Sequence, residues 1–83
     1  MDINQLISII KNKIKNNVLL EDINIEDKTF LHKSHKKNKF HIKLAIKSAE
    51  LSKMKKIDST KKIYKILEYE LKNYIHSIQL EFN

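Results

Sequence analysis

The segment HIKLAIKS, His41 to Ser48, limits what this chain can fold into more than any other. Ile42, Leu44 and Ile46 fall on one face, and His41, Lys43 and Lys47 on the other. That period-two alternation is the mark of a strand with one face buried and one in water. Such a strand needs neighbours for its backbone groups and a layer to cover its apolar face. The remaining segments are read for what supplies them.

Upstream, Leu6, Ile7, Ile10 and Ile14 recur at the spacing of an amphipathic helix, with Asn12, Lys13 and Lys15 on its other side. Asn16-Asn17 can end it, since asparagine tolerates the left-handed conformation. Val18 to Glu26 holds Ile23 and Ile25 alternating with Asp22, Asn24 and Glu26, a half-buried strand. Asp27 to Lys39 is polar, carries His32 and His35, and reads as a loop. Downstream, AELSKMKK predicts a short helix or turn. Asp58 or Ser59 is then placed to cap a longer helix with Ile63, Ile66, Leu67 and Leu71 as its stripe. In the last segment, IHSIQLEF, alternation puts His76, Ile78, Leu80 and Phe82 on one face. The expected architecture is α+β, in the order α-β-β-α-α-β. A three-stranded sheet with helices packed on one face is the natural way to bury these stripes.

Composition bounds the function. The 83 residues hold no repeat and no linker, so one domain over 1–83 is expected. No run approaches the ~18 apolar residues of a membrane span. The N-terminus lacks the pattern of a signal peptide, so a cytoplasmic location without membrane association is expected. There is no Cys, which excludes disulfides, thiol catalysis and thiolate metal sites from this chain's own residues. There is also no Gly, which excludes glycine-motif nucleotide loops. No Ser-His-Asp or paired-carboxylate constellation stands out, so the chain reads as a non-enzyme.

The net charge is +7, and every one of the 17 basic residues is Lys. Abundant Lys, Ile and Asn with no Gly, Pro or Arg is the signature of AT-rich codons, as in a reduced bacterial genome, and it inflates positive charge. Its distribution carries more information than its sum. Residues 33–62 hold 11 Lys against Glu50 and Asp58, while the other residues hold 6 Lys against 8 carboxylates. The basic middle is a candidate surface for phosphates or an acidic partner.

The order of elements and several residues within it resemble the BolA family, from near Leu6 to the C-terminus. The first-helix spacing matches Leu6, Ile10, Ile14 and Val18. The His that opens a hydrophobic strand ending in Ser matches His41-Ile42 through Ser48. The hydrophobic-Tyr pair, Leu and Glu-Leu of the third helix match Ile63-Tyr64, Leu67 and Glu70-Leu71. The family's His at the start of the last strand matches His76 within Ile75-His76-Ser77-Ile78. Three places depart from the family pattern. Leu51, Ser52 and Lys53 stand where it has a Phe-x-Gly turn, and Ser59, Thr60 and Lys61 where it has Arg-His-Arg. His35 to Asn38 replace a loop with Pro and Gly.

The resemblance implies a BolA-like, class II KH-like fold and a regulatory role. It implies a DNA-binding transcriptional regulator of the general stress response and cell morphology. It also implies pairing with a monothiol glutaredoxin around a shared [2Fe-2S] cluster, none being bound by the chain alone. The alternative is an iron–sulfur adaptor only, for cluster trafficking or iron sensing without specific DNA binding. A ribosome- or RNA-associated basic protein is a third reading, and a homodimer stays open.

His76 is the first candidate ligand, since neutral imidazole suits iron. By family position His32 is the second, with His35 the substitute three residues on. His41 points with the lysine face of its strand. Lys53, Lys55, Lys56, Ser59, Thr60, Lys61 and Lys62, around the entry to the third helix, are the candidate nucleic-acid contacts. Lysine meets phosphate as a point charge, and without Arg the bidentate reading of guanine is missing. Weak or non-specific DNA binding is therefore the expectation. Tyr64 and Phe40 could stack on bases, although the spacing of Tyr64 places it with the core.

Overall fold

The computed structural model describes residues 1–29 and 39–83. The central strand β2, Phe40–Lys47, pairs with β1, Asp22–Asp27, on one side and β3, Ile75–Phe82, on the other. The β1 pairing is antiparallel and the β3 pairing parallel. Helix α1, Ile3–Asn17, precedes the sheet, and α2, Ala49–Ser52, α3, Lys56–Ile66, and α4, Glu68–Asn73, carry the chain from β2 to β3. A parallel pair needs a crossover of this kind. The architecture is α+β, as expected. Among the described residues no helix is long and apolar enough to cross a membrane.

Helix α1 starts with a capping box. Gln5 N–H donates to Asp2 Oδ1 at 2.8 Å, and Asp2 N–H donates to Gln5 Oε1 at 3.1 Å. Leu6, Ile10 and Ile14, each four residues from the last, are fully buried. The end differs from expectation. No asparagine turns the chain left-handed there: Asn17 is the last helical residue, and its side-chain amide donates to Lys13 O at 2.7 Å. Val18 leaves in an extended conformation (φ −137°, ψ 141°) and is itself buried. The following strand begins only at Asp22.

The sheet's inner face presents Ile42, Leu44 and Ile46, at 2% exposure or less, beneath α1 and α3. Leu51, Ile63, Leu67 and Ile75 complete the core. The helix expected from Asp58 or Ser59 starts earlier and is broken. Lys55 is the N-cap of α3, without a side-chain hydrogen bond. Ser59 is 1% exposed and its hydroxyl donates to Leu51 O at 2.8 Å, so it clips α3 to α2. At Leu67 (φ −99°, ψ 17°) α3 gives way to α4. In α4, Glu70 is buried, and its Oε2 accepts from Lys13 of α1 at 2.6 Å. Tyr64, expected in the core, is 44% exposed because Ile63 and Leu67 occupy the inward side of the turn.

Candidate functional site

The start of β3 departs from simple alternation. Phe40 pairs with Ile75 but His41 pairs with Ser77, so His76 is the extra residue of a β-bulge. The bulge changes which residue faces the helices. Ile75 goes into the core at 3% exposure, and Ile78, Leu80 and Phe82 line up with Ile42, Leu44 and Ile46. His76 therefore does not share their face, contrary to the alternation in the sequence. It stands exposed.

His76 is not isolated. Its ring lies edge-on to that of His41, with centroids 4.8 Å apart and planes at 72°. His41 is on the strand face of Lys43 and Lys47, as its sequence position implies, yet it is only 5% exposed. Its Nδ1 is 2.6 Å from Ser77 Oγ. Its backbone is also held, the N–H donating to Thr29 Oγ1 at 3.2 Å and the carbonyl accepting from Lys28 N–H at 2.7 Å. Phe40 N–H donates to Tyr74 O at 2.9 Å and closes the entry to the bulge. A buried His41, hydrogen-bonded to the exposed Ser77, thus lies beside an exposed imidazole. The sequence displays His41 and His76 as separate histidines 35 positions apart, and only the register brings them together. His32 and His35 lie outside the described residues.

The basic segment forms the other candidate. Ser48 follows β2 and caps α2, its hydroxyl accepting from Leu51 N–H at 3.2 Å and donating to Leu19 O at 2.7 Å. This fixes the direction of the α2–α3 turn. Lys53, Lys55, Lys56 and Lys61 are exposed, and none has a carboxylate partner among the described residues. Lys62 does: its Nζ is 2.6 Å from Glu50 Oε2. The Lys62 hydrogen bond, with a second from Leu19 N–H, holds the Glu50 carboxyl below its ordinary pKa of 4.5. Thr60 is half-buried, and Ser59 is turned inward as described above. Of the seven positions singled out in the sequence, four lysines project freely, Lys62 is neutralised, Thr60 is half-buried and Ser59 is structural.

Two features of this surface are not prominent in the sequence. Lys65, Lys62, Lys13 and Asn17 line a groove of about 610 Å³ between α1 and α3, floored by Ile66. On the outer side of α3 the Tyr64 ring stands beside Lys65, Glu68, Leu71 and Lys72. Helical phase alone could have indicated that face, since Tyr64 lies seven residues from exposed Ile57.

Comparison with known proteins adds a consistent picture. Residues 14–83 match the model of the family described as BolA-like protein. The chain is 32% identical over 72 residues to the DNA-binding transcriptional regulator BolA of Haemophilus influenzae, covering 87% of this chain and 70% of that protein. Its fold resembles the BolA domain of SufE1 from Arabidopsis thaliana, with a TM-score of 0.79 at 22% identity over 92% of this chain and 87% of that one. BolA1 from the same plant gives a TM-score of 0.78 at 21% identity, with the same coverage of both chains. The match spans the bulged strand, both histidine-bearing strands and the lysine-rich turn, and on it this chain belongs to the BolA-like family.

Proposed function

We propose that this chain is a non-enzymatic DNA-binding regulator of the BolA type, with a role in the stress response and cell morphology, that contacts nucleic acid through the α2–α3 end. The observation that carries this reading is the set of unneutralised lysines there. Lys53, Lys55, Lys56 and Lys61 project from one turn and one helix start without a carboxylate partner among the described residues. Phosphate is the natural complement of such a surface. The similarity to a protein named as a DNA-binding regulator supports the same reading. Lysine supplies positioning contacts, and with no Arg in the chain the affinity is expected to be largely independent of sequence.

The test is an affinity measured against salt. Log affinity should fall with log salt at a slope of about −0.9 per phosphate neutralised. Replacing Lys55, Lys56 and Lys61 by Gln together should make that slope shallower by about 2 to 3. An unchanged slope in the triple variant would remove this surface from the reading.

A second reading is supported by the geometry around His76. An exposed imidazole over a buried, hydrogen-bonded His41 is a donor that can be presented to a partner. Among the described residues no group of three or more His, Cys, Asp or Glu is placed to hold a metal ion alone. A histidine donor that completes another protein's cluster fits this set, since imidazole is a suitable iron ligand. In this reading His76, with His32 or His35, completes a [2Fe-2S] cluster otherwise held by a monothiol glutaredoxin, and the chain serves as an adaptor. Anaerobic co-purification of the two proteins should give a coloured heterodimer, with a visible spectrum altered by His76→Ala. The same spectrum from the variant would exclude His76 as the ligand.

A further inference from the structure

The inward side of α3 is fully used. Ser59, Ile63 and the adjoining Leu67 are at 1% exposure or less. The opposite side is unusual for a short surface helix, because it carries Ile57 at 62% and Tyr64 at 44% exposure. The two are about 10 Å apart along the axis, at 1.5 Å per residue. Exposed Lys61 lies one turn before Tyr64 and exposed Lys65 directly after it, and neither has a carboxylate partner among the described residues. Beyond Tyr64 the surface continues as a shallow depression lined by Lys65, Glu68, Leu71 and Lys72. Lys61, Lys65 and Lys72 outnumber Glu68 around this ring.

From this arrangement we infer that the outer face of α3 binds single-stranded nucleic acid, with a base stacked on the Tyr64 ring and the flanking phosphates held by Lys61 and Lys65. The inference deepens the nucleic-acid reading above and rests on it. A duplex makes poor use of such a face. Its bases are already stacked, and reading their edges takes bidentate donors such as Arg, Asn or Gln. The chain has no Arg, and the nearby Asn73 side chain already donates to Tyr69 O at 2.8 Å. An unpaired base offers a free π-face to an aromatic ring whatever its identity, and lysines beside the ring follow the backbone. Ring and charges together match a strand with exposed bases better than either a duplex or an acidic peptide.

The experiment compares labelled 12-nucleotide DNA and RNA single strands of mixed sequence with the blunt DNA duplex of the same sequence. Affinities are read by fluorescence anisotropy on the full chain at one salt concentration. The wild-type chain should bind at least one single strand more tightly than the duplex. Tyr64→Ala should weaken that binding about 5- to 150-fold and leave duplex affinity within about twofold, whereas Tyr64→Phe should retain it. Circular dichroism and a thermal melt of each variant verify the fold, which an exposed ring does not hold together. Equal affinity of Tyr64→Ala and wild type for both single strands would overturn the inference, as would a duplex bound as tightly as the strands. Displacement by polyglutamate as effective as by an oligonucleotide of equal charge would also overturn it. In those cases duplex binding through the lysines would survive. If neither single strand nor duplex binds at low salt, the nucleic-acid reading falls as well.

Discussion

The Ser77 hydroxyl is hydrogen-bonded to His41, whose ring packs edge-on against that of His76. The His41 imidazole is 5% exposed, and its Nδ1 meets Ser77 Oγ at 2.6 Å only because the bulge moves Ser77 into register with His41. Which of the two groups donates depends on the histidine tautomer, since a hydroxyl can give or take the bond. Ser77→Ala is expected to cost about 1 kcal/mol, the usual net worth of one such bond. The urea midpoint should fall without a change in slope, and the nitrogen shifts of both His41 and His76 should move in NMR spectra of the protein. Shifts of His76 that stay put would mean that Ser77 and His41 do not govern how that ring is presented. Neither histidine's environment is legible in the sequence. Strict alternation in IHSIQLEF assigns His76 to the face of Ile78, and one extra residue in the ladder reverses the assignment.

Between elements, Glu50 ties together three pieces of the helical layer. It sits in α2, accepts from Leu19 N–H just beyond α1, and pairs with Lys62 of α3. Its carboxyl is held below the ordinary 4.5, first by the Lys62 hydrogen bond. A folded-state pKa that is depressed contributes stability above the unfolded value and loses it as pH falls through the folded value. Glu50→Gln should therefore melt at a lower temperature than the wild type at pH 7, with a narrower gap at pH 3. A gap of the same size at both pH values would show that the charge on Glu50 is not what stabilises. The same variant releases Lys62 and should tighten oligonucleotide binding, because one more lysine becomes available to phosphate. The elements themselves were largely legible. The 3.6-residue stripe of α1 and the alternation of β2 each report a face that tertiary packing then buries. The start of α3 was not, because Asp58 and Ser59 are both good capping residues. Neither serves: the helix starts earlier, at the N-cap Lys55, and the Ser59 hydroxyl goes to Leu51 O, a carbonyl eight residues away. Tyr64 was misplaced for a related reason. Its neighbour Ile63 carries the inward position, and a one-residue difference turns a side chain by about 100° around the helix.

For the molecule as a whole, β3 sets the distance between the two candidate sites. The strand begins at the histidine bulge and ends at Leu80, Glu81 and Phe82, which share a surface depression with Lys56 and Ser59. From His76 to Phe82 is about 20 Å at the rise of a strand, within a longest dimension of 38 Å. The sites also differ in direction. Tyr64 and the lysines face outward from the helical layer, while His76 stands beside His41, whose strand face is the one turned away from the helices. Charge does not couple them either, because the screening length in physiological salt is about 8 Å, well short of their separation. What remains is coupling through the strand, whose Ile75 packs with Ile42 and Leu44 in the one core cluster of the described residues. An allosteric link needs an element with two states that both ligands bias. The two proposed partners are therefore expected to bind independently. The affinity for a monothiol glutaredoxin, measured with and without saturating oligonucleotide, should agree within about twofold, and the reciprocal titration should match it by linkage. A change of about fivefold or more in both directions would show that the core transmits between the bulge and α3, or that the partners touch each other when both are bound.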